Sequence, residues 1–281
     1  MEVMSPKPGN VSPGSEFANA SVDDFLKSAQ AIAPILATAS EQTLGATILE
    51  AIRATRNVVN HNTNLGIVLL LAPLAAVPRD QSLPDGIGAV LNSTTVEDSR
   101  LVYEAIRTAQ PSGLGEASKQ DLNDEPTLNL LECMQLGAGR DMIAAQYAGG
   151  FHEVLQTGQE YLRECTQRAI PQPQQISMLA VRLLAEFGDS LIIRKCGIDM
   201  SNVVREKARS LLDNGWPMEH DSLRQHDTAK QFAAFDAFLR ADGNRRNPGT
   251  TADLVAAILF AALREGWMTA DSDWFQRRTK S

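Results

Sequence analysis

Aromatic residues make up only 5% of the 281 residues, and no segment alternates apolar and polar residues as a half-buried strand does. Alanine and leucine are plentiful, so the balance of propensities points to an all-α protein. Basic charge is not in excess: 26 Lys and Arg stand against 34 Asp and Glu, a net −8. That excludes a broad nucleic-acid-binding face. A nucleotide remains allowed, since its few phosphates need only two or three local cations and a metal. Cysteine is scarce, and Cys133, Cys165 and Cys196 form no CxxC pair. Neither a disulfide frame nor a zinc site is expected, but buried thiols in a reducing compartment. No basic region followed by an apolar stretch opens the chain, so the expected location is cytoplasmic. No apolar run reaches the roughly 20 residues that span a bilayer, so no membrane partner is expected.

What is present is organised around Asn57 to Val77, NVVNHNTNLGIVLLLAPLAAV. Its first half is polar, through Asn60, His61, Asn62, Thr63 and Asn64. Its second half, 65–77, carries no polar side chain and is too apolar all round for a surface helix. The pattern predicts a polar turn feeding a buried central helix, whose N-terminal N–H groups and dipole suit a phosphate. The plainer reading is that these asparagines only cap a core helix. Residues 247–263, NPGTTADLVAAILFAAL, repeat the theme. There Thr250 and Thr251 lead into a second apolar run, and Thr250 with Asp253 has capping-box spacing. The expected fold is thus one compact helical domain over 1–281, with 65–77 and 252–264 as two buried, adjacent central helices.

Residues 1–20 are rich in Pro and Gly and cannot be regular helix. They are expected to be extended and to contribute Lys7 and Asn10 to the site. Capping boxes start helices at Ser21 and Thr95. On the second helix Glu50 shares a face with Arg53 and Asn57, which is either solvated or beside the Asn turn as a metal ligand. A long helix is expected over 127–146, with Asp141 on the stripe of Leu130, Met134 and Ala138. A carboxylate on an apolar stripe requires a cation, a metal or a proton, and an ion pair with Arg140 or Arg194 would also satisfy it. GLGE at 113–116 lacks the strand and third glycine of a dinucleotide fingerprint. After Gly188, Asp189 opens a helix ending in Arg194 and Lys195, candidate phosphate cations or an ordinary basic helix end. His220 and His226 are six apart and share no helical face, so no metal site is read there.

Six motifs occur in order: PKPGNV (6–11), NTNLG (62–66), EPTLNLLECM (125–134), GRDMIAAQY (139–147), GDSLIIRKCG (188–197) and NPGTTADLVAAILF (247–260). Together they resemble the triphosphoribosyl-dephospho-CoA synthase family over nearly the whole chain. The resemblance implies an all-helical, cytoplasmic enzyme that joins ATP to 3′-dephospho-CoA and releases adenine. Two departures stand out. The family's Asn-Thr-His-Lys-Gly reads Asn62-Thr63-Asn64-Leu65-Gly66 here, and its Gly-Ala-His-Lys-Asp-Met is SEFANA at 15–20. The chain is closer to the divergent branch found in methanogens and in bacteria using methanopterin-type carriers.

Three functions follow. The first is an ATP- and Mg²⁺-dependent transferase acting on a small coenzyme precursor. Asp141, Asp189 and Asp253 would be its carboxylates, Glu50 and Asp141 its metal ligands, and Lys7, Arg194 and Lys195 its cations. Asn10, Asn62, Thr63, Asn64, Thr250 and Thr251 would be neutral phosphate donors. The second is another nucleotide-dependent reaction in one-carbon carrier synthesis, and the third a helical binding protein without catalysis. Partners are small molecules, with a homodimer allowed.

Overall fold

The computed structural model describes residues 1–111, 120–122, 124–216 and 222–270, without the side chains of 222–226. Thirteen α-helices run through it, and no strand is found among the described residues. The GLGE segment and the side chains of His220 and His226 lie outside them.

Polar residues set several helix boundaries, among them the predicted Ser21 and Thr95. Ser21 and Asp24 form a reciprocal capping box for α1 (Val22–Ala37), and Thr43 caps α2 (Leu44–Val58). Helix α3 is Leu65–Ala76. Ser82 caps α4 (Leu83–Asn92), and Thr95 with Asp98 boxes α5 (Val96–Ala109). Then come α6 (Leu130–Gly137), α7 (Met142–Ala148), a π-helical turn at Glu153–Thr157 and α8 (Gly158–Gln167). The remainder are α9 (Gln172–Phe187), α10 (Ser190–Cys196), α11 (Ile198–Asp213), α12 (Ser222–Arg240) and α13 (Gly249–Arg264).

The long helix expected over 127–146 is broken in two. Around Gly137 and Gly139 the chain turns, with the Asp141 N–H still bonded to Gly137 O at 3.1 Å. The Asp141 side chain then accepts from the N–H groups of Ile143 (2.9 Å) and Ala144 (3.1 Å), which starts α7. Aspartate is better at capping a helix than at sitting inside one. Asp141 therefore lies at a helix start and not on an apolar stripe. The capping box expected of Thr250 and Asp253 is also absent. Helix α13 begins two residues earlier than that box requires, at Gly249, with no side-chain cap, and both threonines fall inside its first turn.

Helices α3 and α13 pack against each other and share the main apolar cluster. Neither is buried all round: Leu71 is half-buried, and Leu263 is 37% exposed. Helix α9 is as deeply placed, with ten of its sixteen residues buried against nine of sixteen in α13. Of the thiols only Cys165 is fully buried; Cys133 and Cys196 are half-buried, and all three are free. No helix among the described residues is long and apolar enough to cross a membrane.

Residues 1–20 form no helix, and are fastened along the protein. The Gly9 N–H donates to Asp236 Oδ1 at 2.7 Å, Asn10 Nδ2 to Pro248 O at 3.3 Å, and Ser177 Oγ to Pro6 O. Gly9 has φ +72°, and a Cβ there would fall 2.8 Å from Leu239, so this crossing requires glycine.

Candidate functional site

One cavity of about 710 Å³ opens where the starts of α3, α7 and α13 meet α10 and the N-terminal segment. Small-molecule sites ordinarily occupy roughly 300–1,000 Å³.

The polar turn before α3 forms one wall. Asn62, not Asn64, satisfies the helix start: its Oδ1 accepts from the Leu65 N–H at 3.0 Å. Asn64 is only 4% exposed and turns inward, donating from Nδ2 to Thr55 Oγ1 at 2.9 Å. Thr63 is likewise buried, its hydroxyl 2.6 Å from Ser28 Oγ. All three line the cavity, but their side chains are largely committed to holding the turn.

The carboxylates divide into two kinds. Asp189 is fully buried and saturated: Oδ1 accepts from the N–H groups of Leu191 (2.8 Å) and Ile192 (3.1 Å). Its Oδ2 accepts from the N–H (2.7 Å) and hydroxyl (2.8 Å) of Thr251. Burial raises its proton affinity, and those four hydrogen bonds work against the rise. Asp189 and Thr251 thus join α10 to α13 from behind the cavity and do not line it. Asp141 caps α7 with one oxygen and pairs with Arg194 through the other. Ser190 ties these starts together, accepting from the Met142 N–H at 3.3 Å and donating to Thr250 Oγ1 at 3.2 Å.

Asp253 is different. It is half-buried, lines the cavity, and has no hydrogen bond or ion pair among the described residues. Its carboxylate lies over the first turn of α3: a Cβ on Gly66 would fall 2.0 Å from Oδ2 and 2.5 Å from Cγ. The glycine of the NTNLG motif is what leaves room for this side chain. Loss of solvent holds the Asp253 carboxyl well above the usual carboxylate range, reinforced by the negative charges of Glu2, Asp189 and Asp141 and opposed by Arg194.

Arg140, Arg194 and Lys195 bring positive charge to the cavity. Lys195 has no carboxylate partner among the described residues, and its half-buried ammonium is shifted toward the neutral form, chiefly by desolvation. Lys7 is not among these cations. It is 1% exposed, its Nζ held by Glu2 O (2.6 Å), Ser5 O (3.1 Å) and Glu2 Oε1 (2.9 Å). Three local partners within reach of a short Pro-Gly loop leave that ammonium nothing for a phosphate. Glu50 is also displaced from the site: it is exposed on α2 and does not line the cavity. No group of three His, Cys, Asp or Glu among the described residues is close enough to hold a metal.

The structure thus gathers Asn10, Asn62, Thr63, Asn64, Asp141, Arg194, Lys195, Thr250 and Asp253 in one cavity. It leaves Lys7, Glu50, Asp189 and Thr251 outside. It also adds Glu2, His61 and Asn247, which the sequence reading passed over. His61 stands in the singled-out turn, its Nδ1 3.2 Å from Asn60 Oδ1. Asn247 opens the NPGTT turn, so its position was readable. Glu2 stands alone in sequence, and only the path of the N-terminal segment brings it in.

Helix starts, cations and an unpartnered carboxylate around one cavity are the lining that a small phosphorylated substrate would suit. The family model of ATP:dephospho-CoA triphosphoribosyl transferase (CitG) matches residues 1–272, and the chain belongs to that family. It is therefore an ATP-dependent transferase of the triphosphoribosyl-dephospho-CoA synthase type. Among solved structures it is similar to a crystal structure from Archaeoglobus fulgidus, whose name proposes a triphosphoribosyl-dephospho-CoA synthase. That likeness covers 86% of this chain and 100% of the other, at 24% identity and a TM-score of 0.64, and supports the fold. No curated protein matches the chain.

Proposed function

We propose that the cavity binds ATP with Mg²⁺, breaks the C1′–N9 bond, releases adenine, and passes the triphosphoribosyl group to a hydroxyl of a small coenzyme precursor. Asp253 carries this reading. It is an unpartnered carboxylate on the cavity wall, over the first turn of α3, and a carboxylate so placed can accept the proton of an acceptor hydroxyl. As C1′ bonds to the acceptor oxygen, Asp253 takes the hydroxyl proton; the electron pair of the broken C1′–N9 bond leaves with the base, which takes up a proton from water to depart as neutral adenine, and Asp253 gives its proton back to solvent. The carboxylates nearby favour the positive charge that builds on the ribose. Lys195 and Arg194, with the Thr250 hydroxyl, are the groups placed for the triphosphate, and the accompanying Mg²⁺ offsets part of its charge.

The test is chromatography of the nucleobase products. Wild type with MgATP and an acceptor yields free adenine. Asp253→Asn still binds MgATP but turns over about a hundred- to ten-thousandfold more slowly. Formation of ADP or AMP in place of adenine would overturn the reaction; an unimpaired Asp253→Asn would overturn the role of Asp253.

A further inference from the structure

We propose that Arg245 and Lys195 form a clamp for the terminal phosphate of the nucleotide, so that the cavity selects a triphosphate over a di- or monophosphate. The inference rests on the reading of the cavity as an ATP site, and adds to it a residue and a direction for the phosphate chain.

Three arginines lie between the end of α12 and the start of α13, and two of them are committed. Arg240 pairs with Asp236 at 2.8 Å and donates to Asn10 O at 2.6 Å. Arg246 pairs with Asp242 at 2.9 Å and lies over the Phe238 ring. Arg245 is exposed and has no carboxylate partner among the described residues. Its Nη2 donates to Lys195 O at 2.7 Å, the one side-chain hydrogen bond it makes there. A guanidinium carries five N–H donors, so most of this one is unused. Lys195 itself lines the cavity and likewise lacks a carboxylate partner. The turn that carries Arg245 reaches the same wall, since Gly243, Asn244 and Asn247 also line the cavity.

An arginine on the last carbonyls of α10 is also an ordinary basic helix end. That role alone does not call for a second unpaired cation beside it. Like charges in a partly desolvated place disfavour each other. The Lys195 ammonium is drawn toward its neutral form by desolvation first, with Arg194 and Arg245 adding to it and Asp189 and Cys196 opposing. An anion of more than one charge relieves both cations at once, and arginine and lysine are the side chains that hold phosphate oxygens.

The order of groups along the wall assigns the phosphate. Asp253 and Thr250 are three residues apart on α13, about 4.5 Å along its axis. Thr250 is 2% exposed, Lys195 is half-buried and Arg245 is exposed. With the reacting ribose carbon at Asp253, the phosphate chain passes Thr250 and runs outward. Its last phosphate is then the one that meets Arg245, and a diphosphate ends short of that group.

Calorimetric titration of wild type, Arg245→Gln and Arg245→Lys with MgATP, MgADP and AMP, no acceptor being present, tests this. A hydrogen bond to a charged group is worth about tenfold or more in affinity. Wild type therefore binds MgATP at least about tenfold tighter than MgADP. Arg245→Gln loses that preference while binding MgADP and AMP as wild type does, and Arg245→Lys keeps part of it. Equal weakening of all three nucleotides makes Arg245 a helix cap only and overturns the inference. So does a preference for MgATP that survives intact in folded Arg245→Gln. Binding is read here without turnover, so ADP or AMP among the reaction products in place of adenine would overturn the proposed reaction and leave the clamp standing. A wild type that binds no adenine nucleotide overturns both.

Discussion

Replacing Gly66 with alanine sets a backbone gain against a collision. In a helix interior alanine is favoured over glycine by up to about 1 kcal/mol. At Gly66 the new methyl would fall 2.0 Å from Asp253 Oδ2, 2.5 Å from its Cγ and 2.9 Å from Ile143 Cδ1. Distances this short force something to move, and inserted methyl groups in packed regions cost about 1–3 kcal/mol. The net destabilisation is then only about 0–2 kcal/mol, a few degrees in Tm for a chain of this size. Two of the three atoms struck belong to Asp253, and the easiest response is rotation of that side chain away from α3. A displacement of about 1 Å at a reacting group costs around a hundredfold in rate. Gly66→Ala should therefore lose activity far out of proportion to stability, measured as Tm by calorimetry and adenine release by chromatography. Near-normal activity in a folded Gly66→Ala would show that the position of Asp253 over α3 is irrelevant to turnover.

The helical class was legible because the chain offers capping residues before apolar periodic runs and almost no β-pattern. Ser21, Thr95 and the NTN turn give helix starts within a residue of the real ones. The reading failed where a residue had two available roles. Asp141 looked like a core carboxylate because Leu130, Met134 and Ala138 precede it at helical spacing; two glycines and a capping side chain end that helix first. Lys7 looked like a phosphate cation because local sequence does not record that Glu2 and two carbonyls fold around it. Glu50 looked adjacent to the Asn turn, yet α2 presents it to solvent. The convergence of α3, α7, α10 and α13 depends on tertiary packing, which periodicity in one segment cannot reveal. Even so, Asn62, Asp141, Arg194 and Asp253 were all named from the sequence, because polar groups next to long apolar helices are unusual enough to notice.

Three further outcomes are expected. Asp253 carries a raised proton affinity, so ionising it costs folding stability as pH rises from the ordinary carboxylate range through its folded value. Asp253→Asn should then melt higher than wild type near neutral pH, and the gap should close in acid; equal gaps at both pH values would contradict the burial penalty. Asp141→Asn keeps an oxygen for capping α7 but loses the charged pair with Arg194, so the fold should persist while MgATP binding weakens in calorimetric titration. Unfolding with unchanged affinity would make Asp141 purely structural. The last concerns dephospho-CoA, the acceptor in the family's description. Resemblance places a histidine and a lysine at Asn64 and Leu65, but Leu65 is 7% exposed and Asn64 is held by Thr55. Neither can present a charge or move a proton at neutral pH. The second His-Lys pair falls at Ser15–Ala20, which here folds into two isolated bridges with Phe17 against Arg240. Losing one positioned charge typically costs about a hundred- to a thousandfold, and losing one acid or base about a hundred- to ten-thousandfold. With these groups gone, turnover of dephospho-CoA should be far below the usual range of about 1–1,000 per second, although MgATP binds. A rate inside that range would show that the histidine and lysine groups missing at 15–20 and 64–65 are not essential to the reaction.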